Sequence, residues 1–216
     1  MKWVHDDHII GTVPATSSLA SMSWLLSHCC KYLAGPGGDV AAGTEGVAVE
    51  SAQGTVIIRQ FQIGSSYRLR LEKLCFAQIC SSNPSNSIRG WDRRGSGAWK
   101  APREGSRHYG IDIICDAGSS VYSPFPAQVI RISKPYGNGK PHDTGIYIKG
   151  TGAWIGYRVK MFYVSKEIRD GASVSAGGRI GSMINMAAQF SPGMTNHIHV
   201  TLYKNGQEVN PTPYKC

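Results

Sequence analysis

The stretch Asn196-His197-Ile198-His199-Val200, near the end of the 216-residue chain, places two histidines one residue apart. In an extended strand, residues i and i+2 share a face and lie about 6.6 Å apart along the strand. His197 and His199 are therefore predicted to point into one site. A second stretch far upstream, His108-Tyr109-Gly110-Ile111-Asp112, offers a further imidazole and a carboxylate. The chain thus holds the components of a metal site in two distant segments.

Two imidazoles and a carboxylate from separate segments form a ligand set that zinc uses. Catalytic zinc usually takes three protein ligands and leaves its fourth position for water. We predict that His108, Asp112 and His199 are the ligands and that Zn²⁺ is the cofactor. His197, one pleat away on the same strand face, can then act as a base or as a hydrogen-bond donor in the transition state. Either pattern alone is weak, since an ordinary loop histidine or a turn-capping aspartate would explain it equally well.

From residue 76 onward the sequence consists of short β-rich segments separated by Gly, Pro and Asn. Strands are predicted at residues 110–115, 120–122, 128–132, 145–149 and 158–163. Asn205-Gly206, between the segments 200–204 and 207–209, is the strongest short hairpin signal in the chain. No segment shows sustained helical periodicity. The predicted fold class is all-β and mainly antiparallel.

Residues 1–77 have a different character. Residues 34–54 are rich in Gly and Ala and show no clear period, whereas residues 55–63 are compatible with one strand. We interpret 1–77 as an irregular or disordered segment of unknown role, followed by one domain at 78–216. The N-terminus is too polar for the apolar region of a signal peptide. The moderately apolar run at residues 18–33 is too short and too interrupted to span a membrane, so no transmembrane segment is predicted.

The net charge of +9 lies entirely on residues 78–216, which hold 17 of the 23 Lys and Arg but 8 of the 14 Asp and Glu. A basic domain favours anionic partners such as glycans, anionic cell surfaces or nucleic acid. No helix-turn-helix, RNP or zinc-finger spacing is present, so no nucleic-acid partner is predicted. A soluble secreted protein with a high pI is the alternative explanation of the charge.

Residues 78–216 resemble the lysostaphin-type zinc metallopeptidase fold and, within that group, the leukocyte cell-derived chemotaxin 2 family, which includes the myeloid protein of bird granulocytes. The resemblance is carried by residues 78–90 (QICSSNPSNSIRG), 108–125 (HYGIDIICDAGSSVYSPF), 159–163 (VKMFY) and 196–200 (NHIHV). It implies a two-layer β-sheet domain in which His108, Asp112 and His199 bind zinc.

Tyr163 departs from the active enzymes of this fold. Those enzymes carry a second catalytic histidine in a Tyr-x-His-Leu segment before the His-x-His strand, and Tyr163 stands at that place here. The chemotaxin family shows a similar loss, and its members are described as non-proteolytic signalling proteins. Losing one positioned electrostatic group typically costs about 10²–10³ in rate. Tyr163 is nevertheless a candidate catalytic substitute, because a phenol can donate a hydrogen bond.

The resemblance predicts a secreted, extracellular, zinc-binding signalling protein of innate immunity, of the neutrophil-chemotactic type. Such a pseudoenzyme would contact cell-surface receptors and anionic glycans. The alternative is an active zinc metalloendopeptidase that cleaves Gly-containing peptides of bacterial cell walls, with His197 and Tyr163 in catalysis. A tail over residues 199–211 that is closer to the bacterial-type enzymes keeps this alternative open. A third interpretation is a module that binds bacterial wall or glycan without cleaving it.

The six cysteines contain no Cys-x-x-Cys zinc or redox pair. An extracellular disulfide role is compatible with some of them, but the spacing alone assigns no pairing. The resemblance implies that Cys80 and Cys115 form a disulfide. The other cysteines are left without an assigned partner: Cys29, Cys30, Cys75 and Cys216.

Overall fold

The structure of the chain, a computed structural model, describes residues 2–5, 8–11, 47–51, 54–63, 66–190 and 193–216. The chain divides into two units, Met1–Leu74 and Cys75–Cys216. The division therefore lies just before Cys75, whereas the sequence predicts a domain boundary after residue 77.

The first unit contains one five-stranded sheet with the strand order β2-β1-β5-β4-β3. Its strands are β1 (Lys2–His5), β2 (His8–Gly11), β3 (Val47–Ser51), β4 (Gly54–Ile63) and β5 (Ser66–Lys73). Strand β1 runs parallel to β5, and the other pairs are antiparallel.

The sequence predicts an irregular or disordered segment at residues 1–77. The structure differs from this prediction, because the described part of this segment forms five strands. The strand considered at 55–63 coincides with β4. Strand β5 carries a signal that could have been read, because Tyr67, Leu69 and Leu71 alternate with charged residues. That alternation has the period of a strand.

The second unit consists of short strands joined by turns. Its strands in chain order are β6 (Trp91–Asp92), β7 (Gly95–Ser96), β8 (Pro102–Arg103), β9 (Ser106–Arg107), β10 (Ile111–Ile114), β11 (Ser120–Tyr122), β12 (Ala127–Ile132), β13 (Gly145–Gly150), β14 (Tyr157–Phe162), β15 (Val164–Lys166), β16 (Ser173–Val174), β17 (Arg179–Met183), β18 (His197–Lys204) and β19 (Gln207–Val209). Its helical elements are short: α1 (Met186–Gln189) and the 3₁₀ turns η1 (Gly152–Trp154) and η2 (Thr212–Tyr214). Within the described ranges, no helix is long and apolar enough to cross a membrane.

A seven-stranded antiparallel sheet forms the centre of this unit, with the order β10-β18-β14-β13-β12-β16 and with β19 paired to β18. Side chains on a strand point alternately to the two faces. One face is fully buried and carries aliphatic residues: Ile146, Ile148, Val159, Met161, Val200 and Leu202. Burying each such side chain contributes about 1.5–3 kcal/mol. The register is thereby fixed, and it places His199 on the opposite face.

The remaining strands of this unit form three smaller sheets. Strands β11, β17 and β15 form a three-stranded sheet, and β6–β7 and β8–β9 are two-stranded pairs, all antiparallel. The predicted hairpin joins β18 to β19, where Asn205 and Gly206 have φ values of 49° and 85°. Positive φ at both central residues is what a type I′ turn requires. The predicted all-β, mainly antiparallel fold class is confirmed.

Two disulfides stabilise the second unit. Cys80 and Cys115 are bonded, as the resemblance implies, which ties the N-terminal segment of the unit to the end of β10. Cys75 and Cys216 are also bonded, across a sequence separation of 141 residues. In the chain-entropy view, a disulfide that closes a loop of this length lowers the entropy of the unfolded chain and so stabilises the folded state by about 5 kcal/mol. No sequence motif indicated this second pair, and residues 29 and 30 lie outside the described residues.

Candidate metal centre

Three side chains meet where β10 pairs with β18. His108 precedes β10, and Asp112 in β10 lies directly across from His199 in β18. The His108 Nε2 atom is 2.9 Å from His199 Nδ1 and 3.1 Å from Asp112 Oδ1, and the last two atoms are 3.0 Å apart. The structure thus brings together the three residues that the sequence nominates as metal ligands, in a geometry that could hold a metal ion.

The partners on the far sides of the two imidazoles determine where their protons lie. His108 Nδ1 is 2.9 Å from the carbonyl oxygen of Ala98, which can only accept, so this nitrogen carries a proton. His199 Nε2 is 2.9 Å from Thr201 Oγ1, whose hydroxyl donates to the Tyr109 carbonyl at 3.1 Å. The threonine oxygen therefore accepts from His199 Nε2–H. In the neutral tautomers that follow, His108 Nε2 and His199 Nδ1 are both unprotonated.

When both imidazoles are neutral, the lone pairs of His108 Nε2, His199 Nδ1 and Asp112 Oδ1 converge with no proton between them. Buried acceptors in this arrangement are costly unless a cation or a proton is shared among them. Zinc–ligand distances of about 2.0–2.2 Å place tetrahedral ligand atoms about 3.3–3.6 Å apart, close to the 2.9–3.1 Å found here. Hydrogen bonds on the far ring nitrogens are the usual way in which metal-binding histidines are oriented. The donor set therefore fits Zn²⁺.

The second oxygen of Asp112 belongs to a buried ion pair. The Arg89 Nη2 and Nε atoms lie 2.8 Å and 3.1 Å from Asp112 Oδ2, and the two side chains are 3% and 2% exposed. Arg89 Nη1 also lies 3.0 Å from Asp92 Oδ1 and donates to the Gly95 carbonyl at 2.6 Å. Arg89 therefore fixes one carboxylate oxygen of Asp112 and leaves the other facing the two imidazoles.

The pKa of Asp112 is set by burial and by the two neighbouring imidazoles. Burial opposes ionisation, but hydrogen bonds from His108 and His199 outweigh it and hold the pKa of Asp112 well below its ordinary range. In the metal-free chain such a bond requires a proton on an imidazole nitrogen that faces the carboxylate. A bound cation would take the place of that proton.

Gly110 allows β10 to approach His199 closely. A Cβ atom at this position would lie 2.5 Å from His199 Cε1 and 2.8 Å from the carbonyl oxygen of Val200. Any larger residue would therefore displace the imidazole or the strand. The glycine between Tyr109 and Ile111 is thus explained by packing against a candidate ligand.

His197 lies beside the three-residue cluster, as its position on the strand predicts. Its Nδ1 donates to the Thr195 carbonyl at 2.6 Å, and its Nε2 lies 3.7 Å from Asp112 Oδ1. Burial lowers the pKa of His197, and the nearby Asp112 charge only partly opposes this effect. His197 is therefore a neutral imidazole whose unprotonated nitrogen faces the cluster.

Tyr163 lies on the other side of His197. It separates β14 from β15 with a φ of 67°, which is uncommon for an aromatic residue and is typical of constrained positions near sites. Its ring contacts the edge of His197 at 5.5 Å and that of Phe190 at 5.6 Å between centroids. Its hydroxyl lies 2.6 Å from the hydroxyl of Tyr136. Burial and this hydrogen bond raise the pKa of Tyr163 far above its ordinary value, so the phenol stays protonated.

Asp143 holds the loop that presents Tyr136. Its two carboxylate oxygens accept hydrogen bonds from the four consecutive backbone N–H groups of residues 136–139, at 2.8–3.2 Å. Although burial opposes ionisation, these donors lower the pKa of Asp143. The Tyr136 ring also packs against Phe190, with the ring centroids 6.1 Å apart. Tyr136, Tyr163 and Phe190 form an aromatic wall beside His197.

The sequence did not indicate the residues that orient the nominated side chains, which are His108, Asp112, His197, His199 and Tyr163. Arg89 lies inside the stretch that carries the family resemblance, yet no pattern marks an arginine as the partner of Asp112. Thr201 continues the i, i+2 series of the two histidines, a signal that could have found it. Tyr136 lies 27 residues before Tyr163 in a turn-rich loop without a motif.

Several known proteins are similar to this chain. Residues 106–211 match the family model described as peptidase family M23. The chain is 35% identical over 139 residues to leukocyte cell-derived chemotaxin-2 of Mus musculus, covering 64% of this chain and 86% of that protein. It is 37% identical over 140 residues to myeloid protein 1 of Gallus gallus, covering 63% of this chain and 40% of that protein. The solution structure of lysostaphin aligns with a TM-score of 0.46 at 18% identity, covering 64% of this chain and 54% of that one.

Proposed function

This chain belongs to the leukocyte cell-derived chemotaxin-2 family, and we propose that it is a zinc-binding, non-proteolytic signalling protein of innate immunity. In this proposal, His108, Asp112 and His199 hold Zn²⁺, and the protein acts outside the cell through surface receptors. The neutrophil-chemotactic activity belongs to the proposal, in line with the name leukocyte cell-derived chemotaxin-2 that two of the relatives carry.

Zinc at this position would link β18 to β10 and to the loop before it, and it could act as a Lewis acid on a bound carbonyl. The unfolded chain has no preformed site, so the free energy of metal binding stabilises the folded form. Arg89 and Thr201 support this role, because they orient Asp112 and His199 without facing the metal position. Such outer contacts typically change metal affinity 10–100-fold.

The contact between Tyr163 and Tyr136 carries the non-proteolytic part of the proposal. By the resemblance, the residue that matches Tyr163 in active lysostaphin-type enzymes is a second catalytic histidine. Histidine can exchange a proton near neutral pH, whereas Tyr163 stays protonated and its hydroxyl is already engaged 2.6 Å from Tyr136. A loss of about 10²–10³ in rate is expected from one missing positioned group.

An extracellular location is supported by the cysteines. Disulfides such as Cys80–Cys115 and Cys75–Cys216 persist in oxidising compartments and are rare in the cytosol. The receptor partners belong to the proposal and rest on membership of the family.

Two observations favour a second candidate function, an active zinc metalloendopeptidase that cleaves Gly-containing wall peptides. Residues 106–211 match peptidase family M23. His197 has an unprotonated nitrogen facing the cluster, so it could accept a proton. In this candidate, Tyr163 would have to exchange its bond to Tyr136 for one to the substrate.

Cleavage of glycine-linked peptidoglycan by the zinc-loaded full chain separates the two functions. We expect no cleavage by the unmodified protein at one zinc per chain, and neutrophil migration toward it that persists in the same preparation. Tyr163→His tests whether only the missing histidine prevents chemistry, because histidine tolerates a positive φ better than most residues. We expect this variant to cleave slowly.

His108→Ala is the matched control, since it removes a ligand and leaves both Tyr163 and His197. Zinc-dependent cleavage by the unmodified chain that His108→Ala abolishes would overturn the non-proteolytic proposal. Absence of neutrophil migration would overturn the chemotactic part independently.

A further inference from the structure

The sheet face that carries the candidate metal centre continues as a second surface built from cations and tyrosines. Its members share one face of β12, β13, β14 and β18, and together we call them the basic face: Arg131, Lys149, Arg158, Lys160, Tyr147 and Tyr203. Lys160 lies directly opposite Tyr147, and Arg158 lies directly opposite both Lys149 and Tyr203. Because the other face of these strands is the buried core, this face is the one available to a partner.

The tyrosines hold cations in place. Lys160 Nζ lies 5.6 Å from the ring centroid of Tyr147 and 5.1 Å from that of Tyr203. The Arg131 guanidinium lies 5.8 Å from the Tyr147 centroid. Such cation–π contacts restrict side chains that are otherwise flexible. Cations that are already ordered lose less entropy when an anion binds.

At one end of the basic face, two positively charged side chains are cross-strand neighbours. Lys149 and Arg158 are exposed and lie directly opposite each other on β13 and β14. Like charges at such a pair destabilise a sheet, and among the residues that the structure describes neither makes an ion pair. Both line a concavity of about 620 Å³ that also includes Asn205 and Ile155. A bound anion in this concavity would relieve the repulsion.

Acidic side chains hardly offset this charge. Strands β12, β13, β14, β18 and β19, all within the described part of the chain, contain one acidic residue, Glu208. Its carboxylate accepts a hydrogen bond from the Tyr203 hydroxyl at 3.2 Å. The basic face therefore contributes to the +9 charge as a concentrated patch.

We propose that the basic face binds an extended sulfated polysaccharide, with one sulfate between Lys149 and Arg158 and further sulfates along Lys160 and Arg131. Single-stranded nucleic acid is less suited, because it needs open aromatic rings for base stacking, and Lys160 and Arg131 lie over the rings here. Protein interfaces have charge-depleted centres with aromatic or apolar anchors, whereas cations occupy the centre of this face. The proposal depends on neither bound zinc nor signalling.

The test is titration of the full chain with a heparin-derived octasaccharide, with and without EDTA, over a range of NaCl concentrations. The test variant is the double substitution Lys149→Gln/Arg158→Gln. The matched control is Arg93→Gln/Arg94→Gln, an exposed pair in the turn between β6 and β7, which changes the net charge by the same amount. Each lost ion pair with a polyanion lowers the slope of log affinity against log salt by about 0.7–0.9.

We expect the test variant to bind about tenfold more weakly near 0.15 M salt, with a slope lower by about 1.5, while the control changes less than about twofold. Equal losses in both variants would show a mere effect of net charge and would overturn the proposal, as would no loss in either. Tighter binding of a thymidine octanucleotide with the same dependence on Lys149 and Arg158 would make this a nucleic-acid face instead.

Amide hydrogen exchange of the unmodified protein tests the proposal without any variant, so a folding defect of a variant cannot affect the result. We expect the sulfated octasaccharide to protect β13, β14 and the turn at Asn205, and its desulfated form to protect none of them. Protection confined to other segments would contradict the proposal.

Discussion

The two sides of the site differ in how their protons are held. Around His108 and His199, hydrogen bonds to Ala98 and Thr201 place the protons on the outer nitrogens and leave lone pairs facing inward. Around Tyr163, the polar group is a protonated phenol that is already engaged by Tyr136. The first side is therefore organised to hold a cation, whereas the second is organised to stay fixed. A side that can hold a cation and a side built around a fixed phenol therefore lie next to each other around His197.

Replacing Arg89 with methionine should have the largest effect on stability. The substitution removes the nearer guanidinium partner of the buried Asp112 carboxylate and leaves only Arg103 Nη2, at 3.7 Å. Breaking a buried ion pair typically costs about 3–5 kcal/mol. We expect this loss in the free energy of unfolding, measured by denaturant titration in EDTA, and a smaller loss with saturating zinc. The exposed Arg93→Met is the control and should change stability by less than about 0.5 kcal/mol. A loss below about 1 kcal/mol would contradict the assignment of Arg89 as the main ion-pair partner of Asp112.

Thr201→Val should weaken the metal side without disturbing the aromatic wall. Valine keeps the shape but removes the oxygen that accepts from His199 Nε2–H, so the proton is free to move to Nδ1. We expect zinc affinity to fall about 10–100-fold in competition with a chelator. Thr195→Val is matched, because only the Thr195 carbonyl contacts His197. Unchanged affinity in Thr201→Val would contradict the proton placement.

The site shows what a single sequence can and cannot supply. A period of two predicted the shared face of His197 and His199, since strand geometry converts spacing into direction. The same period of two could have predicted that Thr201 shares this face. Strand periodicity could not predict that Arg89 pairs with Asp112 or that Cys75 bonds to Cys216. Each of these contacts joins segments that come together only in the folded chain. In the first unit, β4 matches the strand considered at 55–63, but β5 was missed although its apolar and charged residues alternate. The segment as a whole was judged from the Gly- and Ala-rich residues 34–54, which show no clear period.

Tyr136→Phe should have a smaller effect that is confined to the aromatic wall. The substitution removes the hydroxyl partner of Tyr163, and a hydrogen bond at a partly exposed position contributes about 0.5–1 kcal/mol. We expect this change in the free energy of unfolding, with zinc stoichiometry and affinity unaltered. Tyr122→Phe, outside the site, measures the background of removing a phenol. Altered zinc affinity in Tyr136→Phe would show that the two sides are coupled.

Asp143→Asn should give the smallest and most local effect. We expect faster amide exchange at residues 136–139, because the amide replaces an ionised acceptor of four N–H groups. In the unmodified chain, the lowered pKa means that Asp143 stabilises the loop above the ordinary carboxyl value of about 4 and that protection is lost only below it. The exposed Asp170→Asn should leave these four amides unchanged. Loss of protection well above pH 4 would contradict this assignment.

The most direct test of the account is the metal content and coordination of the full chain, by elemental analysis and X-ray absorption at the zinc edge. The account predicts one zinc per chain with two imidazole nitrogens and a carboxylate oxygen, no stoichiometric zinc in His199→Ala, and unchanged coordination in Tyr163→His. A chain that binds no zinc, or that keeps one equivalent in His199→Ala, would contradict the claim that these three lone pairs form the metal site.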